Sequence, residues 1–159
     1  MTLTFERATP ADAETLLPIQ IAAFHNDALI YPGVEEGGPP GYDQLEVLLE
    51  KINRDIYYKF VYDGQIVGGL VIDDLGHGHL HVDVLYIDPA YHNRGIGTRA
   101  MQFIEQEHRA ALWTLNTPQY ALRNQHFYEK LGYVRVGEGP EPGGILLIDY
   151  EKRISVPPP

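Results

Sequence analysis

The stretch Val84-Leu85-Tyr86-Ile87-Asp88-Pro89-Ala90-Tyr91-His92-Asn93-Arg94-Gly95-Ile96-Gly97 constrains this chain more than any other part of it. An apolar run stops at a proline, and a glycine-punctuated helix opening follows at once. A helix over Thr98 to His108 leaves the main-chain N–H groups of His92 to Gly97 unpaired at its N-terminus, where the helix dipole also favours negative charge. A pyrophosphate suits that position. The candidate cradle is His92, Asn93, Arg94, Gly95, Ile96, Gly97 and Thr98. Gly95 and Gly97 let the main chain approach an anion without a Cβ in the way, and Arg94 and Arg99 can add charge-assisted hydrogen bonds.

Taken alone, such a loop fits an ordinary tight connection equally well. Some thirty residues downstream, however, stands Asn124-Gln125-His126-Phe127-Tyr128-Glu129-Lys130-Leu131-Gly132-Tyr133, followed by Val134 and an apolar C-terminal hairpin. Together the two segments, within residues 3 to 151, resemble the GNAT superfamily of acetyl-CoA-dependent N-acetyltransferases. Ile87-Asp88-Pro89 through Gly97 is similar to the family's acetyl-CoA signature, and Phe127 through Tyr133 to its late helix-turn-strand motif. One position departs from the pattern. The family usually carries Gln or Arg three residues before the first loop glycine, and here that residue is His92.

The resemblance implies a GNAT-like α/β fold: a mixed, mostly antiparallel twisted sheet with helices on both faces and a V-shaped splay between the two central strands. It also implies that main-chain groups of Leu85, Tyr86 and Ile87 bind the pantetheine arm and polarise the acetyl carbonyl, with acetyl-CoA as donor. Tyr128 occupies the motif's tyrosine position and is the candidate proton donor to the departing thiolate, since a phenol stays neutral at pH 7. Asn124, one helical turn earlier, is a candidate for bonding the cofactor arm.

Composition removes several rival chemistries. Cysteine is absent and the one serine is Ser155, so disulfides, Cys-ligated zinc, a Cys nucleophile and a core Ser-His-Asp triad are excluded together. Direct transfer of an acyl group from donor to acceptor is the simplest scheme left. A net charge of −10 argues against nucleic acid and favours a cationic partner. No run of 18 apolar residues exists and the first residues lack the form of an export signal, so a cytoplasmic protein without membrane insertion is expected.

At 159 residues the chain fits one domain, here residues 1 to 153, with a frayed Pro-rich tail over 154 to 159. Residues 2 to 7 read as an edge strand. Thr9-Pro10-Ala11-Asp12 opens a helix to about Phe24 that buries Leu16, Leu17, Ile19 and Ala23 and carries no chemistry. Residues 26 to 42 read as a long irregular loop; in the family the chain resembles, the region between the first two helices often covers the acceptor groove, which makes Glu35 and Glu36 candidates for meeting a cationic acceptor. A helix over 43 to 53 follows, then strands over 57 to 62 and 65 to 72 joined by Asp63-Gly64, a two-residue hairpin signal. After Asp73-Asp74-Leu75-Gly76 come a strand from His79 to Ile87, the helix from Gly95, a strand over 111 to 115 and a helix over 120 to 131. A last hairpin of 133 to 136 and 145 to 151 turns around 137 to 144. Its apolar strand Ile145 to Ile148 is a candidate for pairing across a homodimer axis.

Amide formation from a thioester also needs a base for the amine. His77, His79, His81 and Asp83 alternate with Gly78, Leu80 and Val82, so in one extended segment all four point to one side. Many GNAT members carry Glu at the position of His81 or of Asp83, which makes both candidates, His81 first because an imidazole titrates near pH 6.5. The same stripe supports a rival, a metal-binding module built on His77, His79 and His81. A second rival is an acyl-CoA-binding domain without catalysis. The leading expectation is an N-acetyltransferase acting on a primary amine, in a small cation or a peptide.

Overall fold

A computed structural model describes residues 2–140 and 144–155. Of the turn expected over 137 to 144, residues 141 to 143 lie outside the described residues, as does the tail Val156-Pro157-Pro158-Pro159, while residues 137 to 140 belong to a strand. The elements run β1 (Leu3–Arg7), a 3-10 turn (Pro10–Asp12), α1 (Ala13–His25), α2 (Asp27–Ile30), α3 (Leu45–Arg54), β2 (Ile56–Tyr62), β3 (Gln65–Gly76) and β4 (His79–Ile87). A second 3-10 turn (Pro89–Tyr91), α4 (Ile96–Glu107), β5 (Leu112–Pro118), α5 (Leu122–Lys130), β6 (Val134–Pro140) and β7 (Leu146–Arg153) complete the chain. Seven strands form one sheet in the order β1-β2-β3-β4-β5-β7-β6. Every pairing is antiparallel except β4 with β5.

Local chemistry explains the starts and stops. Asp12 Oδ2 accepts the Thr9 N–H at 2.8 Å, closing the helix opening expected at Thr9. Asp63 (φ 47°) with Gly64 (φ 83°), and His77 (φ 54°) with Gly78 (φ 76°), are both left-handed pairs, the backbone that a tight two-residue hairpin requires. His77 therefore sits in a turn and drops out of the expected four-residue stripe. The expected loop over 26 to 42 contains α2, and α3 begins at Leu45 instead of 43. β3 continues through Asp73 to Gly76, and β5 continues through Asn116 and Thr117 to Pro118. Ile154, expected in the tail, donates its N–H to Ala111 O at 2.9 Å and packs on the core.

Each face of the sheet buries its own apolar cluster, which is the main source of its stability. One side holds Leu80 and Val82 of β4 against Ile96, Ala100, Met101 and Ile104 of α4 and Tyr128 of α5. On the other, Val84 and Tyr86 of the same strand pack with Ala13 and Leu16 of α1 and Leu48 of α3. β4 changes allegiance because Val71 pairs Val84 while its neighbour Ile72 pairs Val82, leaving Asp83 as an inserted bulge residue. Upstream of it, Leu80 and Val82 face α4; downstream, Leu85 and Ile87 take over that face.

Candidate active site

β4 and β5 pair in parallel at His79↔Leu112, Leu80↔Trp113, His81↔Thr114 and Val82↔Leu115, and no further. β4 nevertheless runs on to Ile87, while β5 stays with β7 as far as Pro118↔Leu147. The bulge at Asp83 bends β4 at the point where pairing ceases. The central strands thus diverge, as the resemblance implies.

A cleft of ≈ 420 Å³ opens at the divergence. Leu85, Tyr86 and Ile87 line it from β4; His92, Asn93, Gly95, Ile96, Gly97 and Thr98 line it from the loop and first turn of α4; Asn124, Phe127 and Tyr128 line it from α5. Of the expected cofactor-binding set only Arg94 stays out. Its guanidinium lies 5.1 Å from the Tyr91 ring centroid and 5.8 Å from that of Tyr62, stacked on aromatic faces outside the cleft.

The loop presents most of the main chain expected to be free, but His92, expected among the unpaired N–H groups, has its N–H taken up. His92 N–H bonds Pro89 O, and Arg99 N–H bonds Gly95 O; the N–H groups of residues 93 to 98 between them have no acceptor among the described residues. Asn93 (φ 62°) and Gly95 (φ 75°) are left-handed, a conformation that lets successive amides converge on an anion. The two glycines serve different ends. A Cβ on Gly95 would meet nothing within 4 Å, so its role is conformational, whereas one on Gly97 would come within 3.1 Å of the Phe127 ring. His92, at the position of the family's usual Gln or Arg, turns back on its own strand, its Nε2 donating to Ile87 O at 3.1 Å.

Tyr128 is 8% exposed and packs edge-on against Phe127 and Tyr133. Its hydroxyl has no hydrogen-bond partner among the described residues although the side chain lines the cleft. Burial pushes its ionisation far above the ordinary phenol range, so it remains a neutral O–H. Asn124 Nδ2 donates to Thr117 Oγ1 at 3.2 Å, which fixes the amide at the wall.

The two expected bases have different surroundings. His81 lies at the vertex of the divergence, paired with Thr114, and burial holds it below the usual imidazole range despite Asp83 and Asp149 nearby. Asp83 is bonded to Lys51 Nζ of α3 at 2.8 Å. Neither is among the cleft-lining residues. Both belong to the α1/α3 face, while Leu85, Ile87 and Tyr128 belong to the other. Glu35 and Glu36 are outside the cleft as well; both are exposed, and Glu36 meets His25 Nδ1 at 2.9 Å. Among the described residues no three His, Asp or Glu side chains converge as a metal site.

A third wall of the cleft carries no motif in the sequence. Ala23 and Phe24, at the end of a helix credited only with packing, line the cleft together with Asp27, Ile30 and Tyr31. Asp27 Oδ2 accepts from Tyr120 Oη at 3.1 Å, and Tyr31 Oη accepts the Arg123 N–H at 3.2 Å, tying α2 to the start of α5. Burial raises Asp27 above the usual carboxylate range, opposed by the Tyr120 bond and by His92. Nothing in the glycine-rich composition after it signals this short helix.

Residues 21–133 match the family model for the acetyltransferase (GNAT) family. The S-(2-succino)cysteine N-acetyltransferase of Bacillus subtilis (strain 168) is 24% identical over 163 residues, 94% of this chain and 95% of that one. The uncharacterized protein YrkN of the same bacterium is 36% identical over 81 residues, 49% of this chain but only 44% of its own length. Among solved structures, the GCN5-related N-acetyltransferase from Rhodopseudomonas palustris superposes with a TM-score of 0.77 at 20% identity, covering 97% of each chain. The PaiA N-acetyltransferase from Thermoplasma acidophilum, solved in complex with coenzyme A, gives 0.68 at 18% identity over 97% of this chain and 100% of that one. Fold and cleft together define an acyl-CoA-dependent acyltransferase. The chain belongs to the GNAT family of N-acetyltransferases.

Proposed function

We propose that this enzyme takes the acetyl group of acetyl-CoA and passes it directly to a primary amine. The observation that carries this reading is the free main-chain run over residues 93 to 98, opening into the same cleft as the unpartnered Tyr128 hydroxyl. The amides and the N-terminal end of the α4 dipole suit a diphosphate, and the unpaired edge of β4 at Leu85 to Ile87 suits an amide-bearing arm. When bound, acetyl-CoA supplies an activated thioester. The coenzyme A complex of the Thermoplasma relative supports the same use of the fold.

In this scheme His81, kept neutral by burial, accepts a proton from the acceptor amine. Tyr128 gives a proton to the sulfur as it departs. Asp83 is the weaker base because its charge is already engaged by Lys51. The acceptor approaches from the α1/α3 side of the sheet, where His81 lies. Net charge and the carboxylates of Asp83 and Asp149 near His81 suit a cationic amine, small or within a peptide.

The test combines titration calorimetry with a free-thiol assay. Coenzyme A and acetyl-CoA should each bind, and thiol should appear only when an amine is added. The acceptor panel contains polyamines, basic peptides and S-(2-succino)cysteine, the compound in the name of the Bacillus relative. Binding without turnover on any amine would favour a binding domain, and metal binding without coenzyme A binding would overturn the assignment.

A further inference from the structure

On β5, opposite His81, stands a residue that no motif singled out. Thr114 Oγ1 lies 2.8 Å from His81 Nδ1 and 2.6 Å from His79 Nε2, so a single hydroxyl serves two imidazoles. We propose that Thr114 is a positioning residue that locks His81 into the tautomer with a bare Nε2, using His79 as the partner that orients the hydroxyl. The inference rests on the acyl-transfer reading above and adds to it the group that makes the base usable.

Counting hydrogens separates two arrangements of the three side chains. A threonine hydroxyl has one proton to give, and each neutral imidazole has one N–H. When Thr114 gives its proton to His79 Nε2, its oxygen accepts Nδ1–H from His81, and the proton-free nitrogen of His81 is Nε2. When Thr114 instead donates to His81 Nδ1, the His81 proton sits on Nε2 and that nitrogen cannot accept another. Only the first arrangement leaves a base, because Nδ1 is occupied by Thr114 in both. The nitrogen that a histidine presents is set in this way by the bond its other nitrogen makes. Among the described residues neither His81 Nε2 nor His79 Nδ1 has a hydrogen-bond partner.

The step itself balances simply. A proton leaves the acceptor amine and forms a bond to His81 Nε2, giving an imidazolium whose Nδ1–H already points at Thr114 Oγ1. Thr114 O–H in turn points at His79, so the new charge meets an oriented pair of dipoles. The proton returns to water from Nε2 after product departs, and Tyr128, having given its proton to the sulfur, takes one back from water, so both groups end as they began. The charged and titratable groups around His81 are Asp83 and His79 on β4, the cross-strand Asp73 on β3 and Asp149 on β7, with Lys51 of α3 held by Asp83.

The test is a ¹⁵N-edited NMR determination of the His81 tautomer in the full chain, read beside kinetics of Thr114→Val and Thr114→Ser. The wild type and Thr114→Ser should show His81 protonated on Nδ1, and Thr114→Val should lose that preference. Turnover of Thr114→Val should fall by about 10-fold or more, the scale known for groups that orient metal-bound histidines. Its acyl-CoA KM should stay unchanged, and Thr114→Ser should recover most of the rate. An Nε2–H tautomer in the wild-type protein overturns the lock even if the enzyme acetylates amines. Conversely, an Nδ1–H tautomer in a protein that turns over no amine leaves the lock standing and removes the acetyl-transfer reading.

Discussion

Tyr128 is the side chain whose two possible roles separate most cleanly. Its hydroxyl has no partner to lose among the described residues, so Tyr128→Phe should leave the melting temperature unchanged, where breaking a buried hydrogen bond would cost about 1 kcal/mol or more. Turnover should nevertheless fall ~10² to 10⁴-fold, the usual range for a positioned proton donor, with coenzyme A affinity intact by calorimetry. Asp73 gives a different residue-scale prediction. Burial, then the hydrogen bond its protonated carboxyl donates to Asp55 and the Asp55 charge, raise Asp73 to about 6 from an ordinary 3.8. The folded state therefore holds a proton that the unfolded chain releases, so this contribution to stability is full below pH 3.8 and is lost as pH rises through 6. Thermal melts from pH 4 to 8 should show that decline, and Asp73→Asn should remove it and raise the melting temperature at pH 8.

Within α4 and its loop, two glycines two residues apart should fail in different ways. Gly95→Ala forces a Cβ into a left-handed conformation and should cost roughly 1–2 kcal/mol in chemical denaturation, with weakened coenzyme A binding as the loop relaxes. Gly97→Ala keeps its helical backbone but pushes on Phe127 at 3.1 Å, displacing the wall that carries Tyr128, so turnover should suffer more than affinity. The loop, the helix after it and the Asp63-Gly64 hairpin were legible because glycine and proline act through local backbone sterics alone. The bulge in β4 was not. Val82 and Val84 are both apolar and both buried, so a period-two pattern runs through Asp83 unbroken while the two valines in fact face opposite layers. The alternation His-x-His-x-His-x-Asp hid the turn at His77 in the same way, since a repeat of two cannot show where its strand begins. Thr114 and Asp27 carried no local signal, because each acquires its role from strands or helices far away in sequence.

For the whole molecule, a charge of −10 acts on both partners of the proposed reaction with opposite sign. Raising salt from 20 to 300 mM should speed association of the polyanionic donor, and it should lower kcat/KM for a cationic amine, as the long-range field is screened. A polycarboxylate acceptor would show the reverse trend on the second measurement, which makes ionic strength a quick sorter of acceptor class. Among the described residues no helix is long and apolar enough to cross a membrane.

The sheet has a seam. Only four residue pairs join β4 to β5, so these two strands meet over a much shorter border than β4 shares with β3 or β5 with β7. A molecule lodged where that border gapes stitches the two flanks together, and its binding energy is added to the cohesion of the entire fold. Saturating coenzyme A should therefore delay unfolding of both flanks in unison, and hydrogen exchange in β5 and β7 should slow as much as in β4.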